Sequence, residues 1–222
     1  MCGRYSLTVT KSALQARFPG DGAALTHVPR FNIAPSQRAP VLTAPPTGRQ
    51  WLMAAWGFPG AGSSRVINAR IETLSERPMF RGSLERGRCL VPADGFFEWA
   101  RAPAGRSPRR FVLRDRSLFA MAGLWADAPK PGEPPAFVIV TTRANDRVGR
   151  YHDRMPVLLD RSMEAAWLDS DRSWPELRVG LSVPFPAEAL EDYAVSQRVN
   201  SPKCDTPECI APEAGTGQGE LW

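Results

Sequence analysis

The sequence predicts an α+β fold: a single domain on a curved, mainly antiparallel β-sheet with a barrel-like core and helices at its periphery. Three observations predict it. Short apolar runs bounded by Gly, Pro, Asn and Asp dominate the middle of the chain, the pattern of short strands. The helical periodicities are interspersed among them without strict alternation, which argues against a parallel α/β sheet. The 222 residues hold no internal repeat and no linker with a domain on each side, a length that suits one large domain. The domain is expected over residues 1–210, and residues 211–222 read as a flexible tail.

The elements follow in order. Residues 10–18 suit a helix, with Thr10 as N-cap and Leu14 and Phe18 at i and i+4. Pro19-Gly20-Asp21-Gly22 ends it. Residues 31–35 start as a strand and turn at Pro35, and residues 41–43 and 50–57 are strands around a polar loop. A Gly- and Ser-rich loop over 57–64 precedes extended Ile67-Asn68-Ala69-Arg70, which leads into a helical stretch at 72–77. Residues 88–92 form a strand, Asp94-Gly95 signals a tight turn, and Phe96-Phe97-Glu98-Trp99 leaves it as the next strand. A polar loop over 100–108 precedes a second hairpin, from 110–113 and 118–125. The nearly continuous apolar run at 136–141 predicts a central strand. Residues 155–159 form another strand, Ser162 caps a helix to about 170, residues 174–179 form a short helix, and 193–199 a late strand.

Composition bounds the function. Hydrophobic content of 43% and charged content of 23% are those of a soluble globular protein. No run approaches the ~18 apolar residues of a membrane span, and no apolar leader opens the chain. A cytoplasmic, nucleoid-associated monomer with reduced thiols is expected. The net charge is +5, and arginine supplies 25 of the 28 cations. Arginine suits phosphate because its planar fork donates two parallel hydrogen bonds, although such a bias also follows from a GC-rich genome. The cysteines are Cys2, Cys89, Cys204 and Cys209, and the only histidines are His27 and His152. The Cys204-x4-Cys209 spacing is too loose for a zinc knuckle, so neither metal nor cofactor is expected.

The chemistry begins at Met1-Cys2-Gly3-Arg4. Removal of Met1 exposes a 1,2-aminothiol at Cys2. Its amine, with an ordinary pKa of about 7.7–8.0, forms an imine with an aldehyde, and the thiol closes a thiazolidine ring. The same thiol can attack an acyl group with the amine as its base, and an incidental cysteine near a start codon is the plain alternative. Glu98 lies on an aromatic strand, where it is either solvated or held in a cleft that raises its pKa for acid/base work; composition alone favours the solvated reading. His152 follows a loop and precedes a strand, a place that suits a proton shuttle or an ordinary surface histidine. Asn68 and Arg70 point to one side of an extended stretch as substrate amide and phosphate clamp, or serve as a helix-entry cap and a solvated cation. Trp56 and Phe58 can stack on bases or fill the core.

Taken together the segments are more specific. Met1-Cys2-Gly3-Arg4-Tyr5, Phe31-Asn32-Ile33-Ala34-Pro35, Trp56-Gly57-Phe58, residues 67–73, residues 88–99 and His152-Asp153-Arg154-Met155-Pro156 resemble the SRAP family, from Cys2 to about Leu168 and more thinly to Asn200. The resemblance implies recognition of abasic sites in single-stranded DNA and a covalent thiazolidine to the ring-opened deoxyribose. It implies Cys2 as nucleophile, Asn68 orienting the sugar, and Glu98 and His152 moving protons. Arg4, Arg70 and Arg154 match positions near the DNA backbone, and Thr141 matches a site position. Pro35 and Trp56 are counted with the DNA-binding residues. Autoproteolytic removal of Met1 and lyase chemistry through an imine are also implied. The loop at 59–66 is shorter than is usual in the family and lacks aromatics, which puts a base-separating wedge in doubt; Cys204 and Cys209 receive no role. An N-terminal-nucleophile hydrolase of the glutamine amidotransferase type and a non-enzymatic DNA-binding module are the alternatives.

Overall fold

Strand β1 (Tyr5–Leu7) is buried at all three residues and pairs antiparallel on one edge with β2 (Arg30–Ile33) and on the other with β9 (Gly95–Ala102). This is a computed structural model, and it describes residues 2–102, 105–128 and 130–213. In chain order the other elements are α1 (Lys11–Arg17), β3 (Arg38–Thr43), β4 (Gln50–Trp56), β5 (Phe58–Pro59), β6 (Arg65–Val66), β7 (Asn68–Arg70), α2 (Pro78–Arg86), β8 (Arg88–Ala93), β10 (Gly105–Leu113), β11 (Phe119–Ala126), β12 (Ala136–Arg143), β13 (Arg154–Pro156), β14 (Leu158–Leu159), α3 (Arg161–Leu168), α4 (Trp174–Leu181) and β15 (Leu190–Ala194).

The strands form two main sheets. One runs β15-β10-β9-β1-β2 and is antiparallel throughout. The other runs β13-β12-β4-β3-β8-β11-β14, and an extra β11–β12 pairing closes the circuit β12-β4-β3-β8-β11 into a barrel. Closure removes exposed edges. Strand β12 runs parallel to both β4 and β7, and its apolar run is buried on both faces, as a central strand requires. The α+β, barrel-like architecture is the one the sequence predicts.

Buried aromatics fix the interior. Trp56 has no exposed surface, stacks on Phe137 at 6.2 Å, and meets Tyr5 edge-on at 5.3 Å. Its indole N–H donates to the Ile67 carbonyl at 3.0 Å, which satisfies a donor that would otherwise be buried without a partner. Helix α3 packs on the barrel strands β8 and β11 with Trp167, also fully buried, whose indole donates to the Cys89 carbonyl.

Several local expectations hold. Thr10 caps α1 by accepting from Ala13 N at 3.3 Å, and the short helix expected at 174–179 is α4, whose start the structure further shows to be a capping box between Ser173 and Glu176. Others are corrected. Asp94-Gly95 does not close a hairpin. Ala93 pairs with Phe119 in the barrel and Gly95 pairs with Ser6 in the second sheet, so one continuous segment crosses between sheets there. The Asp94 carboxylate accepts from Ser6 Oγ at 2.6 Å, Thr8 N at 2.5 Å and Arg110 at 2.7 Å. Gly95 is required because a Cβ would lie 2.6 Å from Arg110 Nε. The second expected hairpin is likewise absent: β10 pairs with β9 and β15, whereas β11 lies in the barrel. The expected loop at 100–108 is mostly strand, since β9 and β10 pair as far as Ala102 and Gly105. The helical stretch expected at 72–77 is a single 3-10 turn at Ile71–Thr73 with helix α2 beyond it, and Asp160 rather than Ser162 caps α3. Most of the expected tail lies outside the described residues.

Candidate active site

Cys2 precedes β1 and has no exposed surface. Its Sγ lies 3.6 Å from the Arg4 carbonyl oxygen. The β1–β9 register pairs Tyr5 with Phe96, and Phe97 N donates to Arg4 O at 3.0 Å. Continued by two residues, that register sets Gly3 across from Glu98 and Cys2 just beyond. Burial pushes the thiol well above its ordinary range and the nearby Glu98 adds to the shift, so the sulfur rests as a neutral thiol.

Glu98 is not solvated, as composition alone favoured; it is 2% exposed. Burial lifts its pKa from an ordinary 4.5 to about 7, and Asp153 adds a smaller upward push. A carboxyl half-ionised near neutrality can both take and return a proton. It stays buried because β9 packs on both faces: Phe96 stacks on Phe111 at 5.0 Å, and Phe97 joins Val195, Val199 and Cys209 in a small separate cluster.

Asn68 and Arg70 lie on β7, which runs parallel to β12 with Asn68 beside Ile139 and Arg70 beside Thr141. Thr141 pairs on its other side with Pro156 of β13. Three adjacent strands therefore align positions 70, 141 and 156. The Asn68 amide nitrogen and oxygen are both buried and neither has a hydrogen-bond partner. An unsatisfied buried polar atom costs about 1–3 kcal/mol, and where the fold supplies no partner, water or a bound ligand can. Asn68 borders a pocket of about 390 Å³ together with Arg70, Arg77 and Phe80.

His152 lies just before β13 with 30% of its side chain exposed. Its Nδ1 is 3.0 Å from the Arg154 backbone N–H and 2.9 Å from Asp153 Oδ1. The amide calls for a bare nitrogen and the carboxylate calls for a proton. These two contacts select opposite protonation states, an arrangement suited to passing a proton.

The cations divide into two groups. Arg70 is exposed. The Arg154 guanidinium is tied to Glu72 by bonds of 2.6 and 2.9 Å and to the Thr141 carbonyl at 2.6 Å, and it holds the Glu72 carboxyl below the ordinary range. Arg4 donates to Asn32 Oδ1 at 2.9 Å, to Asn200 O at 3.1 Å and to Val199 O. Arg4 and Pro35 border, with Gly3, Trp99 and Asn200, an open pocket of about 510 Å³. Thr141 is fully buried, and its carbonyl and hydroxyl oxygens accept from Arg154. Trp56 is a correction: with no exposed surface it has no ring face to offer a base. Sequence reasoning gave no role to Glu72, Asn32 or Trp99. Glu72 and Asn32 sit in two of the quoted motifs, and a search for acidic or amide partners of the motif arginines would have found them.

A family model described as SOS response associated peptidase (SRAP) matches residues 1–202. The chain belongs to the SRAP family. Among similar curated proteins, the abasic site processing protein YoqW of Bacillus subtilis (strain 168) is 37% identical over 221 residues, covering 95% of this chain and 99% of the relative. The abasic site processing protein HMCES of Gallus gallus is 30% identical, over 83% of this chain and 66% of its own. The abasic site processing protein YedK of Escherichia coli (strain K12) is 28% identical, over 96% and 100%. A solved protein from Bacteroides thetaiotaomicron shares the fold, with a TM-score of 0.83 at 24% identity over 96% of this chain and all of that one. A phage-related protein of Bordetella bronchiseptica gives 0.70 at 28%, over 88% and 95%. In this SRAP chain no described group of three or more His, Cys, Asp or Glu side chains could hold a metal, and no described helix is long and apolar enough to cross a membrane.

Proposed function

We propose that this SRAP protein captures abasic sites in single-stranded DNA by forming a covalent thiazolidine between Cys2 and the ring-opened deoxyribose. The observation that carries the reading is the Cys2–Glu98 pair: a buried thiol beside a buried carboxyl whose pKa lies at about 7. The relatives named as abasic site processing proteins support the substrate.

The two pKa shifts order the steps. Hydrolysis of the Met1–Cys2 peptide bond turns the Cys2 backbone nitrogen into an amine. The buried thiol is a poor thiolate, so the amine acts first. Ionised Glu98 takes a proton from the ammonium, and the amine adds to the aldehyde carbon. Before that addition, His152 protonates the ring oxygen of the hemiacetal while the C1 hydroxyl gives up its proton, which frees the aldehyde; after it, a proton passed to the carbinolamine hydroxyl lets it depart as water. The thiol then adds across the imine, with sulfur bonding to carbon and its proton moving to nitrogen. One water is released overall. Asn68 offers its free amide to the sugar hydroxyls, which would satisfy both orphaned atoms. Arg70 contacts phosphate directly, and Arg4 and Arg154 shape the flanking groove. Backbone contacts position the strand without selecting a sequence. The amine-first imine also permits β-elimination at the lesion, a lyase side reaction.

The test mixes processed protein with single-stranded DNA holding one abasic site, then denatures. A retarded covalent band is expected, lost in Cys2→Ala and in protein with a blocked N-terminus. No band from the wild type, or an undiminished band from either control, overturns the proposal. Release of ammonia from glutamine would point instead to an amidotransferase.

A further inference from the structure

Cys204 and Cys209 lie 3.0 Å apart, sulfur to sulfur, as free thiols. Two sulfurs that close are within about 1 Å of disulfide bonding distance, so a small side-chain movement joins them. Cys209 is fully buried and Cys204 is partly exposed. Both pack with Phe97, Val195 and Val199 in the small cluster that stands apart from the main core. Neither takes part in the proposed chemistry at Cys2.

The segment between them is a clasp. Asp205 accepts from Phe31 N at 2.6 Å, from Asn32 N at 2.9 Å and from the Arg30 guanidinium. Asn32 Nδ2 returns bonds to the carbonyls of Cys204 at 2.7 Å, Ser201 at 3.0 Å and Val199 at 3.2 Å. Arg4 is held by Asn32 and by the same Val199 and Asn200 carbonyls. The two cysteines thus flank the carboxylate that ties the C-terminal segment to β2, two hydrogen-bond steps from Arg4.

We infer that Cys204 and Cys209 form a reversible redox site, closed to a disulfide by hydroperoxides, that locks this clasp onto β2. Cys204, the partly exposed sulfur, meets the oxidant. Its thiolate attacks one peroxide oxygen, the O–O bond breaks, and Cys204 becomes a sulfenic acid as hydroxide leaves. Cys209 attacks that sulfur, the S–O bond breaks, and the departing oxygen leaves as water with the Cys209 proton. Two thiols and one hydrogen peroxide give one disulfide and two waters. The other cysteines are poorly placed to compete. Cys2 and Cys89 have no exposed surface, and burial pushes both thiols well above their ordinary range. The six-residue ring from Cys204 to Cys209 contains Asp205, so closing it restricts the opening that frees Phe31 and Asn32.

The test treats the full-length native protein with increasing hydrogen peroxide and maps each thiol by peptide mass spectrometry. Loss of two hydrogens on a peptide pair linking Cys204 to Cys209 is expected before any modification of Cys2 or Cys89, and dithiothreitol should restore it. In Cys209→Ser, Cys204 should instead be trapped as a sulfenic acid by dimedone. Hydrogen exchange of the oxidised wild type should slow at least several-fold at Phe31 and Asn32, and Cys204→Ser should show no peroxide response there. Cys2 reacting first, sulfenic acid persisting at Cys204 in the wild type, or unchanged exchange at Phe31 and Asn32 in the disulfide form would each overturn the inference. None of these readouts uses DNA, so they stand apart from the test of the cross-link.

Discussion

Replacing Glu98 with Gln separates two consequences of one buried carboxyl. The side chain keeps its shape and loses its charge. In the folded protein Glu98 titrates at about 7, against an ordinary 4.5. The folded state therefore binds a proton that the unfolded state has released between those two values. Stability falls as pH rises across that window, and its favourable part is complete only below about 4.5. The interval from 4.5 to about 7, at about 1.4 kcal/mol for each pH unit, amounts to about 3.5 kcal/mol. Glu98→Gln should thus match the wild type in stability near pH 4.5 and exceed it by up to about 3.5 kcal/mol at pH 8. Urea denaturation at pH 5, 6, 7 and 8 measures the difference. Cross-linking should move the opposite way. In the wild type its rate should climb about tenfold per pH unit below pH 7 and level off above, because the base must be ionised. Glu98→Gln should be slow at every pH and lose that profile. Parallel stability curves for the two proteins from pH 5 to 8, or a variant that keeps the wild-type rate profile, would refute the reasoning.

Asn68→Ala should leave stability unchanged or raise it by about 1 kcal/mol, since it removes two orphaned buried atoms, while it slows cross-linking; chemical denaturation and a single-turnover assay check both halves. Arg70→Ala should reduce the salt slope of single-stranded DNA binding by about 0.7 for each phosphate that Arg70 neutralises. Arg154→Ala should instead act through structure, returning the Glu72 pKa upward towards its ordinary value, which carboxylate titration by NMR detects. The stability that this pair supplies is present above the ordinary glutamate pKa and is lost as pH falls through the lowered one. Gly95→Ala should break up the buried Arg110–Asp94 pair at a cost of about 3–5 kcal/mol; a calorimetric scan with an unchanged melting temperature would contradict the close approach.

What the sequence disclosed follows the range of the physics involved. The apolar run of β12 and the spacing of Leu14 and Phe18 in α1 are local patterns, and both elements lie where those patterns put them. Asp94-Gly95 misleads for the same reason. The dipeptide favours a turn locally, but its carboxylate is taken up by Ser6, Thr8 and Arg110 from other strands. Helix α2 was hidden by Gly82 and Ser83, although Pro78 at its start and buried Phe80 and Leu84 at i and i+4 were its signature. The candidate residues came from motif wording, whereas their physical states did not. Nothing near Glu98 in the chain announces its burial, which depends on packing contributed by β1, β10 and residues around 195–209. Trp56 shows the converse, since an aromatic that could stack on a base or fill a core is sorted only by the contacts around it.

The complete enclosure of Cys2 bears on how long the proposed reagent would stay intact. A cell is full of small electrophiles, among them metabolic aldehydes, quinones and oxidised glutathione, and a surface aminothiol would be consumed by them. A sulfur with no open face, kept protonated by its surroundings, reacts with such molecules only when the surroundings part. Under the proposed cross-linking reaction each molecule reacts once and is useful only while unspent, so the same enclosure would serve as storage. Incubation with formaldehyde or iodoacetamide should leave Cys2 unmodified long after a free cysteine peptide of the same sequence has been exhausted.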